Sequence, residues 1–334
     1  MMNKISKTKT LKNTLFRHNN NYKFDPIQVL ADMPKKLPTI SIVIPYYESG
    51  KIIKKTLHHL YNSIQNTAEI SKNWKYEVII VDDGSKKHPI TNYVRIHDYP
   101  NLHIIFNTKN LGRTITRNKG LSHSQYDICL FMDSDILIDS QLILNHLKIH
   151  AYVRNNNHKN AITVSFFQFT DESDPLLKYK TLTPVDLKLN DYRLHCVYGP
   201  TWIGCKEDKK FIGMEFRIVH DTKYFKNWKG MYKAWALTNM VLGGFFMVNR
   251  KDSLAVNGFN ESFQGYGFTE TSLPTKLISI LGHHLIPMMI GGGIHVEDKD
   301  INISRGQKDK IFWQKHDFYF NKYLNLTHEK ALQD

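Results

Sequence analysis

Four short apolar runs restrict this chain more than any other feature: "ISIVIP" at 40–45, "YEVIIV" at 76–81, "LHIIF" at 102–106 and "DICLFM" at 127–132. The first is of the kind buried in a parallel sheet, and the other three read as further strands. Helical patterns stand between them. From Lys51 to Asn66, Ile53, Leu57, Leu60 and Ile64 recur at helical spacing with Lys54, Lys55, His58 and His59 on other faces, and "GRTITRNKGLSHS" at 112–124 reads as a second helix. Strand and helix in alternation predict an α/β fold, a mostly parallel central sheet flanked by helices with right-handed crossovers. Such a sheet collects ligands at the carboxyl ends of its strands. Beyond residue 140 the pattern predicts a helix over 140–154, a strand "AITVSFF" at 161–167 and a strand "GGFFMVN" at 243–249.

Acids fall at that carboxyl edge. Asp82 and Asp83 follow the second strand in "VDDGS", and Asp133 and Asp135 follow the fourth in "FMDSD". In extended backbone the latter two project to one face. Paired carboxylates at a strand's end suit a hard divalent cation, Mn²⁺ or Mg²⁺, shared with a diphosphate. Read alone, the same pair also fits a helix cap that meets solvent, and Asp-Gly-Ser fits an ordinary turn. Arg113 and Arg117, four apart on the second helix, suit either a phosphate at the same edge or a solvated basic face.

Charge and length narrow the classes of ligand. The 334 residues suffice for one large α/β core or a core with an appended subdomain, and 45 Lys and Arg against 31 Asp and Glu leave a formal +14. Such a field draws anionic ligands: nucleotides, phospholipid headgroups, nucleic acid. No helix-turn-helix, zinc-finger or RNP-like pattern accompanies it, so a nucleic-acid partner is not expected. Cys129, Cys196 and Cys205 form no CxxC pair and leave one thiol over, which fits a reducing compartment. The basic N-terminus lacks the apolar core of a secretory signal, and "WALTNMVLGGFFMV" is short and interrupted by Asn239 and two glycines. A cytoplasmic protein without a membrane span is the expectation.

In order and interval, "ISIVIPYYESG", "EVIIVDDGS", "NLGRTITRNKGL" and "ICLFMDSD" resemble the nucleotide-binding half of family 2 glycosyltransferases, over roughly residues 39–140. The resemblance implies a Rossmann-like GT-A fold and a nucleotide diphospho-sugar donor, usually UDP-linked. It implies that Pro45, Tyr47 and Glu48 in the loop after the first strand, with Asp83, Arg113, Arg117, Asp133 and Ser134, hold the donor. Asp133 would lie by the ribose and the cation, and Asp135 would bind the metal. One departure is visible: where the family often has Tyr-Asn-Glu after the proline, this chain has "YYES".

Downstream, "GGFFMVNRKDSLAVNGFNESFQGYGFTETSLPTKL" is similar to the segment that chondroitin-synthase and polypeptide N-acetylgalactosaminyltransferase-type enzymes write as Gly-Gly, Gly-Phe-Asp-Glu, then Gly-Trp-Gly-x-Glu-Asp-x-Glu-Leu. Gly265, Tyr266 and Gly267 fit the Gly-Trp-Gly, Thr269 replaces the Glu, Ser272 replaces the later acid, and Glu270 takes the position of the catalytic base. His295 in "GGGIHVED" resembles the late histidine that completes the metal site, and imidazole is a competent Mn²⁺ ligand. An inverting transfer needs little more: one carboxylate to take the acceptor's proton and one cation to neutralise the departing diphosphate.

The expected organisation is a basic arm at 1–38, a nucleotide-sugar-binding half at 39–140, an acceptor-binding and catalytic half at 141–300 as an acceptor-side subdomain, and an aromatic and basic tail at 301–334. The expected activity is an inverting hexosyl or N-acetylhexosaminyl transfer to a hydroxyl or other nucleophile on a glycan, lipid-linked or peptide acceptor. Positive charge further allows peripheral association with an anionic membrane. Two alternatives stand beside it: a basic nucleic-acid-binding protein, and a GT-A-like sugar nucleotidyltransferase, against which "PYYESGK" offers one glycine where a phosphate loop needs several. "KIFWQKHDFYFNKYLNL" reads either as an interfacial segment or as aromatic cover for the sheet, and "DYRLHCVYGPTWIGCKEDKKF" as an acceptor groove or ordinary packing.

Overall fold

The computed structural model describes residues 6–170, 174–187, 228–232, 235–241, 243–265, 267–296 and 305–333. Cys196, Cys205, Tyr266 and the stretch "DYRLHCVYGPTWIGCKEDKKF" lie outside the described residues. The four runs form the strands β1 (Ile40–Tyr46), β2 (Tyr76–Asp82), β3 (Leu102–Phe106) and β4 (Ile128–Met132). After them come β5 (Ile136–Ile138), β6 (Ala161–Val164), β7 (Phe167–Thr170), β8 (Met231–Tyr232), β9 (Trp235–Ala236), β10 (Phe245–Asn249), β11 (His284–Pro287) and β12 (Gly293–Val296).

A seven-stranded sheet runs in the order β11-β6-β10-β4-β1-β2-β3. β1 pairs in parallel with β2 and with β4, whereas β10 is antiparallel to both β4 and β6. The chain therefore builds outward from β1 through β2 to β3 and then returns to the other side of β1 with β4. That reversal is the switch point at which open α/β sheets take ligands. Register places Tyr46 beside Asp82 and Val43 beside Phe131, so the loops that follow β1, β2 and β4 leave by one edge. Because β10 runs the other way, with Phe245 opposite Met132, its leading Gly243 and Gly244 reach the same edge.

Strand alternation divides the core. Ile40, Ile42, Ile44 and Tyr46, all fully buried, face the helices α3 (Ile52–Ile70) and α5 (Leu142–Asn155). Val43, Cys129 and Phe131 face the other way, in one cluster with Leu121 of α4 (Arg113–His123) and Leu273 of α7 (Ser272–Leu281). Burial pushes the Cys129 thiol far up, so it behaves as a small apolar group. α4 lies so close to β1 that a methyl group on Gly120 would meet the Val43 side chain. Gly120→Ala should cost about 1–3 kcal/mol of overpacking, more than the roughly 1 kcal/mol that alanine gains in helix propensity. A lowered urea midpoint is the expected result, and a raised one would show that Val43 yields freely.

Several expectations shift in detail. The helix expected to end at Asn66 continues to Ile70. The helix expected over 140–154 occupies Leu142–Asn155. The single strand expected over 161–167 breaks at Ser165 and Phe166: β6 stays in the large sheet, while β7 joins β5 and β12 in a three-stranded sheet. Residues 133–135 are a turn between β4 and β5 rather than extended chain, so their two acids do not share a face.

The basic N-terminal arm is docked. In α1 (Leu11–Arg17), Leu11 and Leu15 are fully buried and pack in the cluster that contains Leu273 and Leu277. Surrounding lysines hide this four-residue apolar spacing from a composition argument. Further on, the Asn20 amide donates to Leu285 O and accepts from Leu285 N, both at 2.8 Å, which covers backbone groups of the edge strand β11. The aromatic tail is cover too: Tyr319 in α8 (Arg305–Asn321) and Tyr323 after it are buried against Phe263. Among the described residues, no helix is long and apolar enough to cross a membrane.

Candidate active site

The turn at 133–135 sends its acids to different partners. Asp133 N donates to Gly244 O at 3.2 Å, which ties the turn to the start of β10, and the Asp133 carboxylate accepts from Arg117 Nη2 at 2.9 Å. Asp135 turns toward β12. Antiparallel register sets His295 opposite Ile136, and Val296 N donates to Asp135 O, so His295 Nε2 comes to 3.3 Å from Asp135 Oδ2. Burial alone pushes the Asp135 carboxyl up; His295 and then Arg113 outweigh it and hold the group below the usual carboxylate range. Its Oδ1 is buried and has no hydrogen-bond partner among the described residues.

Arg117 is the site's buried charge. Its side chain is 1% exposed, so it is not part of a solvated basic face; Arg113, on the first turn of α4, is exposed. The guanidinium also reaches Glu270, with Nη1 3.9 Å from Oε2, and the Phe259 ring lies 5.8 Å from its Cζ. A guanidinium out of water needs carboxylates about it, and here Asp133 and Glu270 supply them with side chains 23% and 22% exposed. Two carboxylates thus open outward from one cation behind them.

Glu270 owes its place to a strained turn. Gly267 and Phe268 both have positive φ, 82° and 60°, and Phe268 tolerates it because its ring is buried against Phe312 and Tyr319. Thr269 follows, 1% exposed, and its hydroxyl donates to Glu270 Oε2 at 2.6 Å. Opposite, the backbone of Gly243 comes in so close that an added Cβ would stand 2.8 Å from Arg117 Nη2 and 3.5 Å from Glu270 Cδ.

The remaining donor-site candidates sit at the same edge with their polar atoms largely engaged. Asp83, 4% exposed, accepts from Leu111 N and Gly112 N, each at 2.9 Å, and from Asn107 Nδ2 at 2.8 Å, so it fixes the entry into α4 and hence Arg117. Glu48, at φ 53°, accepts from the backbone N–H groups of Lys86, Lys87 and His88 at 2.7, 3.1 and 2.6 Å. Desolvation pushes its carboxyl up, but the three donors bring it below the usual range. Its carboxylate braces the loop after β1 against the loop after β2, an engagement the donor-binding expectation did not include. Tyr47 is 49% exposed, Pro45 is half-buried, and Ser134 shares a 2.6 Å hydroxyl contact with Ser49.

The expectation missed Thr269, Gly243 and the burial of Arg117. A signal existed for the last: Arg117 falls three after Thr114 and four before Leu121, on the face those residues bury. Among the described residues, no group of three or more His, Cys, Asp or Glu side chains is arranged to hold a metal. Asp135 and His295 by themselves fit a hard divalent cation: one carboxylate oxygen lacks a partner, one imidazole adjoins it, and a diphosphate and waters would complete the shell.

Residues 41–152 match the sequence model of the family described as glycosyl transferase family 2. The uncharacterized glycosyltransferase YfnE of Bacillus subtilis is 25% identical over 266 residues, 71% of this chain and 59% of that protein. Dolichyl-phosphate beta-glucosyltransferase ALG5A of Trichomonas vaginalis is 30% identical over 115 residues, 34% of this chain and 32% of that protein. The chain thus spans less than two thirds of the length of either relative. Among solved structures, the mannosyltransferase PcManGT from Pyrobaculum calidifontis, in complex with GDP-Man and Mn²⁺, superposes with a TM-score of 0.50 at 16% identity, over 92% of this chain and 70% of that one. The shared architecture is the GT-A fold.

Proposed function

We propose that the protein is a metal-dependent inverting glycosyltransferase that moves a sugar from a nucleotide diphospho-sugar, UDP-linked, to a hydroxyl on a glycan, lipid-linked or peptide acceptor. The reading proceeds from the family 2 domain at residues 41–152. One observation carries it: Glu270 and Asp133 meet on Arg117 at the carboxyl edge of the sheet, and the Asp135–His295 pair stands two residues along the same turn. Glu270 takes the proton of the acceptor as its oxygen attacks the anomeric carbon, and the bond to the nucleotide's terminal phosphate oxygen breaks on the opposite face. Asp135 and His295 would hold a divalent cation, Mn²⁺ or Mg²⁺, whose charge would neutralise the departing diphosphate. Arg113, exposed and close enough to depress the Asp135 carboxyl, adds positive charge where a phosphate would lie. Exposed Lys7, Lys9, Arg17 and Lys23 on the docked arm support peripheral contact with an anionic membrane.

A thermal-shift screen of UDP- and GDP-sugars with Mn²⁺ tests the reading. Ligand at a hundred times its Kd stabilises the folded state by about 2.7 kcal/mol, so the expected result is a melting point raised by a few degrees for a UDP-sugar with Mn²⁺ and unmoved in Asp135→Ala. A chain that no nucleotide-sugar stabilises, and that hydrolyses none, is not this enzyme.

A further inference from the structure

We propose that Thr269 is a positioning residue for Glu270, the middle link of a relay that runs from buried Arg117 through the threonine hydroxyl to one oxygen of the carboxylate. The proposal rests on Glu270 acting as the base. Arg117 Nη1 donates to Thr269 Oγ1 at 3.5 Å, and Thr269 Oγ1 donates to Glu270 Oε2 at 2.6 Å. The direct approach of the guanidinium to that carboxylate is 3.9 Å, so the hydroxyl is the tighter of the two holds. Its direction is set by chemistry: a guanidinium only donates, which leaves the threonine oxygen as acceptor and commits its proton to Glu270.

Three features make this more than an incidental contact. Thr269 is 1% exposed, so its hydroxyl has no water to turn to. The preceding Phe268 pays for a left-handed backbone, φ 60°, with a ring packed in the core, and this fixes where Thr269 begins. Arg117 already holds Asp133 through Nη2, so the same guanidinium aligns the base with the turn that carries Asp135. With Oε2 occupied, Oε1, which accepts no hydrogen bond among the described residues, is the oxygen presented to an incoming hydroxyl. A carboxylate free to rotate would divide its time between orientations, and a misplacement of about 1 Å costs on the order of 10²-fold in rate.

The test compares Thr269→Val, which keeps the shape and removes the hydroxyl, with Thr269→Ser, which keeps the hydroxyl. Hydrolysis of UDP-glucose, UDP-N-acetylglucosamine and GDP-mannose with Mn²⁺ is followed as released nucleotide. The expected result is a kcat about 10²-fold lower in Thr269→Val, with the donor KM little changed and Thr269→Ser close to the unsubstituted protein. Equal rates in the two variants, or a loss in the valine variant that appears in KM alone, overturns the proposal. A second measurement needs no activity: the melting points of Thr269→Val, Glu270→Ala and the double variant. Losses that fail to add show that the two side chains are coupled, and additive losses overturn the positioning role. Coupling in a protein that turns over none of the three donors shows that Thr269 holds Glu270, and overturns the transferase reading and with it the positioning role.

Discussion

Glu270→Gln should lower nucleotide-sugar turnover by about 10²–10⁴-fold, the range that a positioned general base supplies, while donor affinity stays within a fewfold. The amide keeps the shape of the side chain and removes its ability to take a proton. The pair proposed to hold the cation is untouched, because Asp135 and His295 hang from the turn after β4 and from β12, whereas Glu270 hangs from the turn before α7. The fold should tolerate the change for a specific reason. Arg117 is buried and would be costly to strand, but its closer partner is Asp133 at 2.9 Å, and that pair persists. Asp133→Asn is the harsher substitution, since among the described residues it leaves the guanidinium with Glu270, 3.9 Å away, as its one carboxylate partner. Single-turnover rates with saturating donor and Mn²⁺ measure the effect. A Glu270→Gln protein within tenfold of the unsubstituted rate would mean that another group takes the proton.

Six of the seven strands of the large sheet could be read from the chain because they announce themselves locally; β11 was not among those expected. A doubly buried parallel strand has no polar side, so "ISIVIP" and "ICLFM" carry their assignment in four or five residues. Acids just after such runs have to emerge at the carboxyl edge, and on that ground Asp83, Asp133 and Asp135 belong at one rim. What local patterns missed depends on partners distant in sequence. Arg117 and Arg113 look alike at a spacing of four, but Arg117 lies inside with the carboxylates of Asp133 and Glu270, the latter more than 150 positions away, whereas Arg113 is exposed on the first turn of α4. The turn at 133–135 arises because β5 leaves the large sheet to pair with β12, whose Gly293 stands more than 150 positions later, opposite Ile138. Extended geometry for the two acids was a fair local inference that a remote strand overrode. The docked arm failed for a similar reason, since Leu11 and Leu15 gain meaning only beside Leu273 and Leu277.

Mild acid should unfold this protein, and histidine burial is the reason. His18, His59 and His284 are lowered to about 4 and His150 to about 3, in each case because burial disfavours the charged ring. His146, between the hydroxyls of Thr163 and Ser165, is depressed as well. Further neighbours deepen the effect: His283 faces His18, His150 and His284, and His158 and Lys159 lie near His284. Unfolded histidine takes up a proton near pH 6.5, so below that pH the unfolded chain binds protons that the folded one refuses. The contribution is therefore complete above pH 6.5 and is lost progressively as pH falls toward 4. At pH 5 one such histidine costs about 2 kcal/mol. With His18 and His284 sharing each other's repulsion, the set amounts to roughly 4–8 kcal/mol, against a usual total stability of about 5–15 kcal/mol. Depressed carboxylates such as Asp252 act at lower pH and do not enter this window. Urea midpoints at pH 7, 6 and 5 should fall steeply and together in near-UV and far-UV signals. His150→Gln should flatten the descent by about one histidine's share, because a glutamine amide reaches the position of Nε2, can accept the Thr163 contact that His150 Nε2 makes at 3.1 Å, and takes up no proton. Midpoints unchanged between pH 7 and 5 would mean that these rings are hydrated in solution and that the packing of α5 and β11 around them is looser than described.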